Sequence, residues 1–265
     1  MQELATAYRP WEDRRRRARS LAQRYPHAAE VLRLYQALLD VQEGIYDAAL
    51  AQRPTPEGLT SWMIGQALPG VLDVTVAAGP EKLATAAVAR FHSADLDDLV
   101  GRWLRLEEQS LVDRYLARAS SSPVFEALGA DFAAATCSGR APGAACPHCG
   151  GPPQLSWSAL SGEPLVTSPR YLLCARCQGG WGHTRMTCAS CGETRGSQLP
   201  VYRESDRFPQ AAVEGCKTCN TYLLHVDLRR DAAAVPLVDE LAMTPLDLYA
   251  RDRGLAKLTP NLVGI

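Results

Sequence analysis

Cys146-Pro147-His148-Cys149, Cys174-Ala175-Arg176-Cys177, Cys188-Ala189-Ser190-Cys191 and Cys216-Lys217-Thr218-Cys219 hold eight of the chain's nine cysteines. Adding 42 to the numbers of the first two pairs yields the last two. The chain therefore carries an internal repeat, C-x2-C-x24-C-x2-C, written twice with ten residues between the copies. One C-x-x-C is a weak signal; four in register are a strong one. Two residues between cysteines allow a tight turn that brings both sulfurs to one side, with backbone N–H groups aimed at them. Gly150 and Gly192 follow the leading pair of each copy, where a left-handed backbone is wanted, and Asn220 tolerates that conformation. Gln178, in the matching place, is a less natural occupant.

The repeat favours two self-contained sites over a cross-braced pairing of the first knuckle with the third. One site is then Cys146, Cys149, Cys174 and Cys177, and the other Cys188, Cys191, Cys216 and Cys219. A module of about 40 residues is too small to fold on an apolar core alone, and a metal ion supplies the missing stability. Disulfides suit the spacing, but cytosolic thiols stay reduced and no secretory signal is seen. A thioredoxin-type dithiol needs one C-x-x-C at a helix start, and ferredoxin-like clusters group three cysteines closely. Four thiolates in a tetrahedron suit zinc or a single iron, and spacing does not choose between them.

Outward from the cysteines, each 24-residue connection has room for a strand, a turn and a returning strand. The first copy predicts Leu155 to Leu160, a turn near Ser161-Gly162-Glu163, and Arg170 to Leu173. The second predicts Gln198 to Tyr202, a turn over Arg203 to Phe208, and Ala211 to Glu214, with a further strand from Tyr222 to Leu228. Upstream, the first 136 residues read as five to seven short helices. Val31, Leu34, Tyr35, Leu38, Leu39, Ile45 and Leu50 mark one face, a helix spans Val71 to Ala78, another follows Pro80, and one or two lie between Ala94 and Ala117. Ser121-Ser122-Pro123 reads as a helix cap followed by a first-turn proline. Residues 137–145 are small and Pro/Gly-rich, a linker signature. From Pro236 the pattern returns to helix, with Gly254 as terminator. The expected class is α+β: an N-terminal helical domain (1–136), a linker (137–145), two tandem ribbon modules (146–187 and 188–230), then a C-terminal helix and tail (231–265).

Composition narrows function. With 28 Lys and Arg against 29 Asp and Glu, the net charge of −1 gives no whole-chain pull toward nucleic acid or anionic membrane. Arg14 to Arg17 precede a polar helical run rather than an apolar stretch, so they read as a solvated helix face and not as an export signal. No run of 18 apolar residues occurs, so no membrane span is expected, and the chain is placed in the cytoplasm. There is no nucleotide-binding glycine loop or nucleophile motif, and a closed four-sulfur shell leaves no open position for substrate. His148 and His183 are expected to face solvent or cap, since each site already has four sulfurs. His27, His92 and His225 show no partners. Trp181 and Tyr222, just past a knuckle, are expected to shield metal or core, and Cys137 reads as a buried or linker thiol.

Several stretches resemble one family. They are Cys146-Pro147-His148-Cys149-Gly150, Tyr171-Leu172-Leu173-Cys174-Ala175-Arg176-Cys177, Trp181-Gly182-His183 and Arg185-Met186-Thr187-Cys188. The match continues through Cys191-Gly192, Glu214-Gly215-Cys216, Cys219, Thr221-Tyr222-Leu223, Asp239-Glu240-Leu241-Ala242 and Leu246-Asp247-Leu248. Together they are similar to FdhE, the formate dehydrogenase accessory proteins, over about residues 146–250. The tail Lys257 to Ile265 fits the family's ending poorly. The resemblance implies a cytoplasmic, non-catalytic assembly factor that associates with the catalytic subunit of respiratory formate dehydrogenase. It also implies rubredoxin-like modules, iron as the metal, and a ligand role for all eight cysteines. Iron would let redox state change the charge of each site, which zinc would not. Two competing readings are a zinc-ribbon nucleic-acid binder and a rubredoxin-like electron carrier. The first would draw on Arg170, Arg176, Arg185, Arg203 and Arg207, but Glu163, Glu193, Glu204, Asp206 and Glu214 are interspersed. A homodimer is left open.

Overall fold

The structure is a computed structural model that describes residues 10–159 and 169–264. The sequence readings at residues 1–9, Leu160, Ser161-Gly162-Glu163 and Ile265 lie outside the described residues.

Seven α-helices fill the N-terminal half among the described residues. They are α1 (Trp11–Arg24), α2 (Ala29–Gln52), α3 (Leu59–Gln66), α4 (Leu68–Ala78), α5 (Glu81–Ser93), α6 (Leu96–Arg105) and α7 (Leu111–Thr136). Side-chain caps set two of the starts: Asp95 accepts from the Asp98 N–H and Ser110 from the Asp113 N–H, both at 3.1 Å. Two expectations are corrected here. The helices are not all short, since α2 runs 24 residues and α7 runs 26. Ser121-Ser122-Pro123 is not a helix start but lies inside α7. The proline is tolerated because another residue repairs the bond it breaks. Pro123 has no N–H to offer the Ala119 carbonyl one turn back, and the buried Gln42 of α2 donates to that carbonyl at 2.9 Å instead. Ser121, buried beside it, accepts from the Trp103 indole N–H at 2.9 Å. The bend in α7 falls later, at Gly129, whose φ of 82° is outside helical range.

The cysteine-rich half is one sheet. It is built from β1 (Pro153–Ser158), β2 (Arg170–Cys174), β3 (Gly180–Gly182), β4 (Val201–Tyr202), β5 (Ala211–Cys216) and β6 (Thr221–Asp227), in the order β3-β2-β1-β6-β5-β4. Each copy of the repeat supplies an antiparallel ladder, and the copies join where β1 runs parallel to β6 through Ser156–His225, Trp157–Val226 and Ser158–Asp227. After α8 (Pro236–Ala242) and α9 (Thr244–Arg251), Gly254 turns at φ +74° and β7 (Ala256–Lys257) lies parallel to the start of β6. Where one C-terminal helix was expected, there are two and a short strand.

Helices and sheet share their apolar interior. Trp11, Leu21, Leu32, Tyr35 and Leu39 of α1 and α2 pack in one cluster with Val213, Leu224 and Val226 of the sheet and Val238 and Leu241 of α8. An ion pair crosses the same seam. Arg17 is buried and donates to Asp239 of α8 (Nε to Oδ2, 2.8 Å) and to Asp231 at 2.7 Å. Gln210 and the Val235 N–H also donate to the Asp239 carboxylate. The four-arginine run is therefore not simply a solvated face. Arg14 and Arg15 reach Glu126, Asp40 and Glu43, and Arg17 points into the protein because only paired guanidinium groups survive burial.

Candidate metal centres

The backbone after each knuckle takes the left-handed conformation the turn requires. Gly150 and Gly192 have φ of 73° and 77°, and Gln178 and Asn220 have 59° and 54°. The first and third knuckles close identically: the Gly150 N–H donates to the Cys146 carbonyl at 3.0 Å, and the Gly192 N–H to the Cys188 carbonyl at 3.1 Å. Backbone N–H groups then point at sulfur, from Gly151 to Cys149 (3.4 Å), from Arg176 to Cys174 (3.3 Å) and from Ser190 to Cys188 (3.3 Å). Such bonds spread thiolate charge.

The eight predicted sulfurs converge in the two self-contained groups, Cys146/Cys149/Cys174/Cys177 and Cys188/Cys191/Cys216/Cys219, each with its ligand atoms within 4.8 Å of one another. Cross-pairs measure 3.7 Å (Cys146–Cys177), 3.4 Å (Cys149–Cys174), 3.7 Å (Cys188–Cys219) and 3.7 Å (Cys191–Cys216). A tetrahedron of sulfurs about 2.3 Å from a central ion has edges of about 3.8 Å, whereas a disulfide brings sulfurs to about 2.05 Å. The donor set and its spacing fit one soft ion per group, and each group can hold a metal.

The two groups differ in their surroundings. All four sulfurs of the first lie in the same apolar cluster as Trp103, Leu104 and Phe125 of the helical half. Arg176, inside the second knuckle, is fully buried and donates to the carbonyls of Leu104 and Ser138 (2.9 Å each) and of Cys149. One guanidinium thus ties both knuckles of the first group to the end of α6. Arg118 of α7 is buried, which pushes its guanidinium down to about 10, with the Glu240 carboxylate opposing the fall. The repeat places Thr218 where Arg176 stands in the first copy. Its hydroxyl donates to Glu193 at 2.6 Å, joining the third and fourth knuckles, and Arg195 pairs with the same carboxylate at 2.8 Å. Hydrogen bonds from Arg195 and Thr218 hold Glu193 well below the usual carboxylate range. The first clamp is buried and the second is at the surface.

The equivalent glycines register this contrast. A methyl group on Gly150 would stand 2.4 Å from the Gly139 carbonyl oxygen, while on Gly192 it would meet nothing within 4 Å. Both positions carry the left-handed penalty of about 1–2 kcal/mol. Gly192→Ala is expected to cost about that much, and Gly150→Ala distinctly more because backbone must move. Denaturant titration of the two metal-loaded variants checks the order.

Other sequence expectations fall out unevenly. Tyr222 is buried and donates to Asp247, and Trp181 is half-buried against the first group's cluster, as shields would be. His148 is exposed and His183 half-buried. Cys137 ends α7 beside Cys149, and hydrogen bonding to that sulfur, then burial, pushes its thiol up. The histidines read as lacking partners need correction at two positions. His27 contacts the Ala242 carbonyl at 3.0 Å. His225 lies buried between Ser156 (2.8 Å) and Ser158 (3.2 Å), with Glu214 at 3.3 Å. Because the Ser156 hydroxyl donates to Glu214 at 2.7 Å, His225 Nδ1 must carry a proton toward Ser156, leaving Nε2 to accept from Ser158. Burial holds this imidazole below its ordinary pKa, so it is neutral. Burial opposes the charge of Glu214 too, yet Arg170 at 2.6 Å keeps it lowered and ionised. Asp239, Glu240 and Asp247, which entered the sequence reading only through the resemblance, are all fully buried.

These features define a class: a helical half whose core continues into a ribbon sheet, with two tetracysteine groups able to hold metal. Comparison shows what the chain is similar to. Residues 186–263 match the family model described as FdhE, C-terminal domain. Among curated relatives, the Protein FdhE homolog of Aquifex aeolicus (strain VF5) is 32% identical over 119 residues, covering 45% of this chain and 41% of that protein. The Protein FdhE homolog of Pseudomonas putida is 32% identical over 123 residues, covering 45% and 38%. The match thus spans about two fifths of these relatives' length. The crystal structure of the FdhE protein from Pseudomonas aeruginosa superposes with a TM-score of 0.67 at 22% identity, over 96% of this chain and 94% of that one, and so shares the fold. The C-terminal half of this chain is thus similar to FdhE proteins, the resemblance its cysteine motifs suggested.

Proposed function

We propose that the chain is a cytoplasmic, non-catalytic accessory protein that binds the catalytic subunit of a respiratory formate dehydrogenase and supports its maturation. In this reading all eight knuckle cysteines are metal ligands, one ion per group, iron by family resemblance. The observation that carries the reading is the pair of closed four-sulfur groups set in an FdhE-like sheet and joined to a helical half. A four-sulfur shell saturates a tetrahedral ion and leaves no position for substrate, which favours a structural or sensing role over hydrolysis. Two of the arginines that a nucleic-acid reader would use are engaged elsewhere: Arg176 is fully buried, and Arg170 pairs with Glu214. Among the described residues, no helix is long and apolar enough to cross a membrane.

The test is affinity capture of the tagged chain from cells making the enzyme, together with metal analysis of protein prepared without air. The catalytic subunit should co-purify, with two ions per chain. Recovery of no dehydrogenase subunit, alongside salt-sensitive retention on nucleic acid, would replace this reading with the ribbon-binder alternative.

A further inference from the structure

The two sulfur groups repeat in sequence and diverge in exposure. In the first, Cys146, Cys149, Cys174 and Cys177 are all buried, the most accessible at 6%. In the second, only Cys216 is buried; Cys188 and Cys219 are half-buried, and Cys191 is exposed. A groove of about 350 Å³ is lined by Cys177, Gln178 and Gly179, but Cys177 as a whole is buried. Beside the second group a shallow cleft is lined by Cys188 and Cys216, and two of its walls, Met186 and Val201, are exposed apolar side chains. The buried Arg176 clamp, which holds the first group's knuckles against α6, has only the surface Thr218–Glu193–Arg195 contact as its counterpart in the second.

Ligand exchange at a four-coordinate d¹⁰ or high-spin ion proceeds when an incoming donor can reach the metal while a resident ligand swings away. The exposure of Cys191 favours both conditions, and the burial of all four cysteines of the first group opposes them. We propose that the two centres divide the work, resting on the reading that each group binds metal: the first is a locked structural centre, and the second is a ligand-exchange centre open to soft sulfur donors, with Cys191 as the leaving ligand. In the exchange an incoming thiol gives up its proton and its thiolate binds the metal. The Cys191 sulfur departs and is protonated by solvent, and the oxidation state of the metal does not change. A thiol-bearing partner or small thiol is the class of ligand the site would accept.

The experiment uses full-length protein loaded with two Zn²⁺ per chain, verified by elemental analysis, and a chromogenic pyridylazo chelator in excess. One equivalent should leave at least tenfold faster than the other. In parallel, N-ethylmaleimide labelling with peptide mapping should mark Cys191 first, then Cys188 and Cys219, while Cys146, Cys149, Cys174 and Cys177 stay protected. Glu193→Gln, a change outside the ligand set, should speed the fast phase several-fold and leave the slow phase alone. Release of both ions in a single phase, or labelling of the first group as early as the second, overturns the division of labour. Protein that takes up no metal overturns the metal reading itself, which the initial elemental analysis separates from the other failures.

Discussion

A Cys146→Ser/Cys174→Ser variant is expected to lose the first metal and the ordered packing of α6, α7 and β2 with it. Structural tetrathiolate sites in small modules bind their ion with about 10–16 kcal/mol, as much as or more than the net stability of about 5–15 kcal/mol typical of a whole domain. The effect should spread beyond the knuckles because these sulfurs are part of the helical core. Cys146, Cys149, Cys174 and Cys177 pack in one cluster with Leu99, Trp103, Leu104 and Phe125. Arg176 carries the end of α6 on its guanidinium, and the Ser138 N–H donates to the Leu104 carbonyl at 2.9 Å beside it. Hydrogen exchange should show deprotection of α6 and the C-terminal turns of α7, and elemental analysis should show no more than one ion per chain. A variant with unchanged exchange in those helices would mean the helical half folds without reference to the first centre.

How much of this was readable beforehand follows from how local the physics is. The knuckles were legible because a two-residue turn between cysteines dictates its own backbone. Even Gln178, an awkward residue for a left-handed position, takes φ of 59° since the repeat demands it. The division into two groups of four was legible for the same reason. The fusion of the copies through β1 and β6 was not, because parallel pairing between Ser156 and His225 joins segments with no local signature of each other. Pro123 misled because Ser-Ser-Pro caps helices well on local chemistry alone, and only a distant side chain, Gln42, makes the interior placement affordable. Arg17 looked like a surface charge, since nothing in its neighbourhood names a partner 222 residues away. Residues 137–145 have the composition of a linker, yet the Ala141 and Ala144 N–H groups donate at 2.8 Å to Gly150 and Ala189, so the segment runs pinned past both sulfur groups. Local rules were read correctly; pairings across the chain needed coordinates.

Replacing Lys257 with methionine is expected to destabilise the protein by about 3–5 kcal/mol, the usual cost of removing one partner from a buried ion pair. The side chain is only 3% exposed and reaches Glu240 at 2.9 Å and Asp247 at 3.1 Å, two carboxylates that are themselves fully buried. Gln154 donates to Glu240 and Tyr222 donates to Asp247, but neither brings charge. Burial already raises Glu240 above its ordinary value, with Lys257 opposing the rise. Without the ammonium the rise grows. A carboxyl with a raised folded pKa gives its full stability below the unfolded value of about 4.3 and loses it as pH climbs through the folded one. The deficit of Lys257→Met should therefore shrink as pH falls toward 5 and widen toward 8, measured as the difference in unfolding midpoint from the parent. Lys257→Arg, which keeps the charge, should recover part of the loss. A deficit independent of pH would assign the effect to lost packing of β7 against β6, and the stretch after Gly254 would then be held by its strand pairing rather than by charge.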